Sequence, residues 1–199
     1  MKHKPMLAYP VSAKPIDYSK PVFIQPKLDG VRCLIQYQNP GGVGFHGSIV
    51  AYSRTGKEWK NIDHILVNLK PFFHWNPNVV LDGELYNHDF KDDFESIISM
   101  VRKTKPTHED RSISEKHVQF HCYDFVNRKM KFSTRDEWLT GNLQSNHCIK
   151  LVPTNQVFRE DDARVYHARN LAAGYEGSIV RLDTPYQCKR SHSLRKFKD

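Results

Sequence analysis

Lys27-Leu28-Asp29-Gly30-Val31-Arg32 places an amine, a carboxylate and a guanidinium close together, where one apolar segment ends and the next begins. A lysine amine is a nucleophile only when neutral. With an ordinary pKa of about 10.4, it reaches that state near neutrality only where burial or neighbouring cations lower the value. Lys196 and Lys198 in Leu194-Arg195-Lys196-Phe197-Lys198 could supply such cations, and on a strand their spacing sends both side chains to one face. An amine attacking phosphorus would form a P–N bond and expel a leaving group, and the charge accumulating on the phosphate oxygens would draw cations to the same place. Glu84 and Glu176 bring carboxylate oxygens of the kind magnesium prefers.

Each of these residues also has an ordinary reading. A lysine at a turn is usually solvated, two lysines near the chain end can be an exposed basic tail, and Glu84 and Glu176 can be surface carboxylates. Gly83 and Gly177 could let backbone approach a ligand or could equally be bulge residues. What decides is whether the elements bring these positions together.

The elements predicted from pattern are these. Residues 1–20, with Pro5, Pro10 and Pro15, read as an extended arm whose Lys2, Lys4 and Lys14 could touch a polyanion, and Val22-Phe23-Ile24 begins a strand. Arg32 to Gln38 and Ser48 to Ser53 read as a hairpin. Its loop contains Gly42-Val43-Gly44-Phe45-His46-Gly47, a literal GxGxxG that a strand follows where a dinucleotide site would need a helix. Ile62 to Leu69 reads as a short helix stopped by Pro71, Val79 to Leu85 as a strand, and Phe94, Ile97, Ile98 and Val101 as one face of a helix ending before Pro106. Val118 to Val126 resumes a strand. A helix is predicted from Ser133 or Thr134 with Asp136 and Glu137 in its first turn, and another from Glu160 to Ala173 with Gly174 as cap, ahead of a strand over Glu176 to Leu182. This order lacks the regular βαβ rhythm and predicts an α+β fold, mainly antiparallel sheets flanked by helices.

The composition fits one domain of 199 residues with a formal charge of +8, a surplus suited to polyanionic partners. Cys33, Cys122, Cys148 and Cys188 form no CxxC pair, so neither a zinc knuckle nor a disulfide framework is expected, and no HExxH occurs among the eleven histidines. No signal peptide or membrane span is legible, which predicts a cytoplasmic protein without a membrane partner.

Taken in order, the motifs resemble those of the covalent nucleotidyltransferases, the superfamily of ATP-dependent DNA ligases, RNA ligases and mRNA-capping enzymes. Lys27 to Arg32 matches the KxDGxR signature. Ser53-Arg54-Thr55-Gly56-Lys57, Leu81-Asp82-Gly83-Glu84-Leu85, Tyr123-Asp124-Phe125, Glu176-Gly177-Ser178-Ile179-Val180-Arg181 and Leu194 to Lys198 resemble the motifs that follow. Six matches in order span most of the chain. The stretch from Leu81 to Tyr86, followed by Phe94 to Lys105, is most similar to the small DNA ligases of bacteriophages.

The resemblance implies a nucleotidyltransferase core, ATP-grasp-like, that uses ATP and Mg2+ and seals nicked double-stranded DNA through a covalent lysyl-AMP. It implies Lys27 as the nucleophile, with Lys196 and Lys198 on the phosphates. Tyr123 and Ile179 would sandwich adenine, and Gln25, where many relatives have Glu, would read the adenine amino group through its amide oxygen. Glu84 and Glu176 would serve the ribose or the metal, while Arg32 and Arg54 would contact the 5′-phosphate and the ribose unless they form surface ion pairs. Asp29 either tunes Lys27 or helps with metal, or caps the turn. An OB domain usually follows the last of these motifs, so a chain ending at Asp199 is expected to react poorly with ATP by itself; a monomer is the default. An RNA ligase or capping enzyme shares nearly all these motifs, and a noncatalytic nucleic-acid clamp is the rival of a different class.

Overall fold

A computed structural model describes residues 4–39, 41 and 47–198; Lys2 and most of the GxGxxG string lie outside them. The elements are β1 (Leu7–Pro10), β2 (Val22–Pro26), β3 (Val31–Gln38), β4 (Ser48–Tyr52), α1 (Asp63–Asn68), α2 (Lys70–Trp75), β5 (Val80–Tyr86), α3 (Phe94–Val101), α4 (His108–His117) and β6 (Gln119–Phe125). They continue with α5 (Phe132–Asn142), β7 (Ile149–Leu151), β8 (Asn155–Val157), α6 (Glu160–Ala172), β9 (Ser178–Leu182) and β10 (Arg190–Phe197). Two five-stranded sheets result, ordered β1-β10-β9-β2-β8 and β4-β3-β5-β6-β7. Among the described residues only β1 with β10 and β6 with β7 pair in parallel, so the predicted mainly antiparallel α+β architecture is what forms.

Hydrophobic patterning explains the layers. Cys33, Leu34 and Ile35 are consecutive and all buried, which only a central strand covered on both faces allows; β3 runs between β4 and β5. One face carries the larger core, where Ile35, Leu81, Phe120 and Cys122 meet Ile65, Leu69 and Phe73 of the helical side. The other sheet packs Val22, Ile24, Val157 and Val180 against Ala163 of α6. No helix among the described residues is long and apolar enough to cross a membrane.

Three local expectations are corrected. The helix expected over Ile62 to Leu69 ends ahead of Pro71 as α1, but Pro71 also sits in the first turn of a second helix, α2, where a missing N–H costs nothing. The helix predicted from Ser133 or Thr134 begins at Phe132 after Lys131, and its first turn holds no acidic residue, so Asp136 and Glu137 lie farther along. The capping carboxylate comes from across the fold: Asp183 accepts from the Ser133 N–H at 2.7 Å and from its hydroxyl at 3.0 Å. The N-terminal arm is extended, as predicted, but it is also a sheet strand, since β1 lies beside β10. Helix α4 was not foreseen because it has hardly any apolar face; the Thr107–Asp110 capping box starts it.

The two sheets are joined by charge as well as by packing. Asp124 on β6 is 0% exposed and accepts from Arg135 Nε of α5 at 2.7 Å and from Arg181 Nη1 of β9 at 2.8 Å. Arg135 also donates to the Met130 and Thr184 carbonyls at 2.6 and 2.9 Å. Asp124→Ala leaves two buried guanidinium groups without their anion, so we expect a loss of about 3–5 kcal/mol. Thermal denaturation should show Tm lower by about 6–20 °C; a shift within about 2 °C would exclude this role for the carboxylate.

Candidate active site

Lys27 follows β2 directly, and backbone pairing carries the β2–β9 ladder past Pro26. The Lys27 N–H donates to the Gly177 carbonyl at 2.9 Å, and the Glu176 N–H donates to the Lys27 carbonyl at 3.1 Å. This pairing sets the Glu176 carboxylate against the Lys27 ammonium, while its other oxygen receives Lys198. Gly177 is required for strand geometry rather than ligand approach: its φ is +139°, and a Cβ there would stand 2.2 Å from the Phe197 carbonyl of β10. Gly83 likewise sits at the β5–β6 register shift, where a Cβ would meet the His121 carbonyl at 2.3 Å.

Burial lowers the Lys27 pKa, while the charges of Glu84 and Asp29 oppose the shift. Lys198 is also lowered, by desolvation first and by the Lys27 charge second. On β5, burial pushes Glu84 up to about 7 against the pull of Arg32, of the Tyr123 hydroxyl and of Lys27. The Tyr123 hydroxyl is 3.0 Å from Glu84 Oε2 and 3.2 Å from the Gly83 carbonyl.

A pocket of about 300 Å³ opens here, lined by Lys27, Arg32, Arg54, Arg181, Arg190, Lys196 and Lys198, with Glu84 as the one acidic wall residue among those described. Glu176, Asp82 and Asp124 pair with Lys27, Lys198, Arg32 and Arg181, and Arg54, Arg190 and Lys196 have no carboxylate partner among the described residues, a balance that suits an anionic ligand. Gln25, Tyr123 and Ile179 complete the walls, so nine of the eleven residues singled out from sequence line one cavity. Glu176 instead bridges two lysines beside it. Asp29 is exposed and outside the lining; its charge reaches Lys27 and Lys198 through space.

Three residues gain weight only from the structure. Arg32 forms no surface ion pair but a bidentate one with Asp82, at 2.6 and 2.7 Å, and the Asp82 side chain is buried. Arg181, pinned by Asp124, donates from Nε to Gln25 Oε1 at 2.7 Å. A guanidinium cannot accept, so the Gln25 amide orientation is fixed: Nε2 faces the Tyr123 carbonyl and the Thr154 hydroxyl, at 3.3 and 2.9 Å. Arg181 stood inside a recognised motif, but Arg190 had no signal beyond its charge.

Among the described residues no three His, Cys, Asp or Glu side chains converge to cage a metal. Magnesium commonly takes one or two carboxylates together with substrate phosphates, and Glu84, the carboxylate in the pocket wall, fits that use once a cation offsets the burial that disfavours its charge. Glu176 faces two ammonium groups instead.

The arm closes one side. Tyr186 donates to Asp82 at 2.6 Å and accepts from the Met6 N–H at 2.9 Å, while Arg32 Nη2 donates to the Met6 carbonyl at 3.0 Å. Tyr186→Phe should therefore cost about 1–3 kcal/mol. Chemical denaturation measures that loss, and amide exchange should quicken at residues 6–10; unchanged exchange there would refute the clamp.

The profile of the ATP dependent DNA ligase domain matches residues 5–198. A DNA ligase of African swine fever virus (isolate Tick/South Africa/Pretoriuskop Pr4/1996) is 30% identical over 169 residues, which cover 82% of this chain and 37% of the viral protein. The chain thus spans well under half the length of such curated relatives. The ATP complex of the ATP-dependent DNA ligase from bacteriophage T7 superposes with a TM-score of 0.70 at 17% identity, over 98% of this chain and 68% of that one. Chlorella virus DNA ligase-adenylate gives 0.68 at 20% identity, over 100% and 68%. These two establish the shared fold, and the match over residues 5–198 places the chain in the ATP dependent DNA ligase domain family.

Proposed function

We propose that this domain forms a covalent lysyl-AMP at Lys27 and passes the AMP to the 5′-phosphate of a DNA nick, which is then sealed by the 3′-hydroxyl. The observation that carries this reading is the place of Lys27: a partly desolvated amine, 20% exposed, in the wall of a cavity lined largely by cations.

In the first step the neutral Lys27 amine attacks the α-phosphorus of ATP. A P–N bond forms, and the electron pair of the breaking P–O bond leaves with pyrophosphate. Glu176 holds the amine as an ammonium at rest, so attack requires that pairing to loosen, and desolvation favours loss of the proton. Lys196, Lys198 and Arg54 balance the charge on the phosphate oxygens, with Arg54 also in reach of the ribose. Tyr123 and Ile179 grip the adenine, and Gln25 Oε1, with one lone pair on Arg181, offers the other to the exocyclic amine. Glu84 would hold magnesium or a ribose hydroxyl, and magnesium there would add positive charge beside the phosphates. Asp29 tunes the two lysines through its charge.

In the second step a 5′-phosphate oxygen attacks the AMP phosphorus and frees Lys27. In the third, the 3′-hydroxyl attacks the 5′-phosphate and AMP leaves. Arg32, already oriented by Asp82, is suited to the 5′-phosphate. The names of the relatives favour DNA over RNA.

Intact-protein mass spectrometry after incubation with ATP and magnesium should show a gain of one AMP that Lys27→Ala abolishes. Incubation with pre-adenylylated nicked DNA that lacks the 3′-hydroxyl should reach the same adduct by reversal of the second step, and RNA nicks should serve less well. An adduct that persists in Lys27→Ala would defeat the assignment. Because neutral amine is required, the rate of adduct formation should rise with pH and reach half-maximum below the pH expected of an exposed lysine; a midpoint at or above that value would contradict the desolvated nucleophile.

A further inference from the structure

Cations attract phosphates whatever base they carry, so the choice among bases falls to the uncharged wall residues Gln25, Tyr123 and Ile179. Gln25 is 2% exposed. Its Nε2 donates to the Tyr123 carbonyl at 3.3 Å and to Thr154 Oγ1 at 2.9 Å, and its Oε1 accepts from Arg181 Nε at 2.7 Å. Both amide hydrogens are therefore taken up inside the protein, and one lone pair on Oε1 is left for a ligand.

The contact with Thr154 has a direction of its own. Thr154 Oγ1 donates to Asp136 Oδ1 at 2.8 Å. A carboxylate can only accept, so the single hydroxyl hydrogen goes to Asp136 and the oxygen is left to accept from Gln25. Ile24 on β2 pairs with Asn155 on β8, which brings the next residue, Gln25, beside Thr154. Asp136 lies on α5 directly after Arg135, and Arg135 and Arg181 both bind Asp124. The hydrogen bonds that run from Asp124 through Arg181, Gln25 and Thr154 thus end on the neighbour of the other guanidinium that Asp124 holds.

We propose that Thr154 and Asp136 are positioning residues for base selection. By claiming the Gln25 N–H that the Tyr123 carbonyl leaves over, they present the nucleobase with an acceptor and no N–H, a wall that admits a 6-aminopurine and rejects a 6-oxopurine. An adenine amine donates to Gln25 Oε1, whereas a guanine O6 would meet it acceptor against acceptor. The same pair accounts for glutamine at this position: a glutamate would set a second oxygen against the Tyr123 carbonyl and against a hydroxyl whose hydrogen is already committed. The inference rests on reading the pocket as a nucleotide site, and it gives roles to two residues outside the motifs of the chain.

The test is isothermal titration of the full chain with the α,β-methylene analogues of ATP and GTP, which cannot release pyrophosphate, beside self-adenylylation by ATP and magnesium. Thr154→Val leaves one Gln25 N–H without its acceptor and should lower the preference for the adenine analogue at least about fivefold, while Thr154→Ser should keep it. Gln25→Glu should weaken the adenine analogue at least about fivefold, and adding Asp136→Asn should recover most of that loss, because an amide can donate to Thr154 Oγ1 and turn its hydrogen toward the new carboxylate. A merely structural role for the pair would give no such recovery. Melting curves show which variants fold; should Thr154→Val not fold, the Gln25 and Asp136 series decides. Unchanged preference in Thr154→Val, full affinity in Gln25→Glu, or no recovery in the double variant would overturn the proposal. A wild-type chain that takes the adenine analogue but forms no adduct would count against the ligase reading alone, and one that takes neither analogue would sink both.

Discussion

Asp124 carries a charge where no water reaches it, and the fold is arranged so that two guanidinium groups meet that charge from different elements. Arg135 comes from a helix behind one sheet and Arg181 from a strand of the other, so neither sheet can shift without exposing an unpaired buried ion. The pocket lies where the sheets meet. Gln25 is oriented by Arg181, and Tyr123, next to Asp124 in sequence, lines the pocket. The nucleobase side of the proposed site is therefore built as an extension of the joint that holds the domain together.

A second buried carboxylate does the same on the phosphate side. Asp82 takes both arms of Arg32 and the Tyr186 hydroxyl, and through them the backbone of Met6. Preorganisation of this kind places a cation without spending side-chain entropy when an anion arrives. It also explains why the N-terminal segment belongs to the catalytic body: Met6 is 3% exposed, and its main chain completes the clamp.

Between these two anchors Arg54, Arg190 and Lys196 line the pocket without a carboxylate partner among the described residues. Lys27, Lys198 and Glu176 form a rest state in which one carboxylate occupies two ammonium groups that a phosphate could take over. Such an arrangement keeps like charges close together without a ligand and makes their release favourable when a polyanion enters. The proposed nucleophile and the cations that would serve its reaction are thus held in one small network.

Much of this was legible in sequence, because strand alternation and fixed motif spacing are local properties. The runs around Val22, Leu34, Leu81 and Phe120 predicted strands that formed, the order of turns and helices predicted α+β, and nine of eleven candidate residues reached one pocket. Where local reasoning failed, a distant partner had replaced a local one: Asp183 caps α5 across the fold, and β1 enters the sheet because β10 offers it an edge. The amino-acid sequence by itself determined which side chains could do the chemistry and the order in which strands present them. Tertiary structure alone decided which charges are paired, which are left free to meet a ligand, and which way the Gln25 amide faces, because those outcomes depend on groups remote in sequence that meet only when the sheets pack.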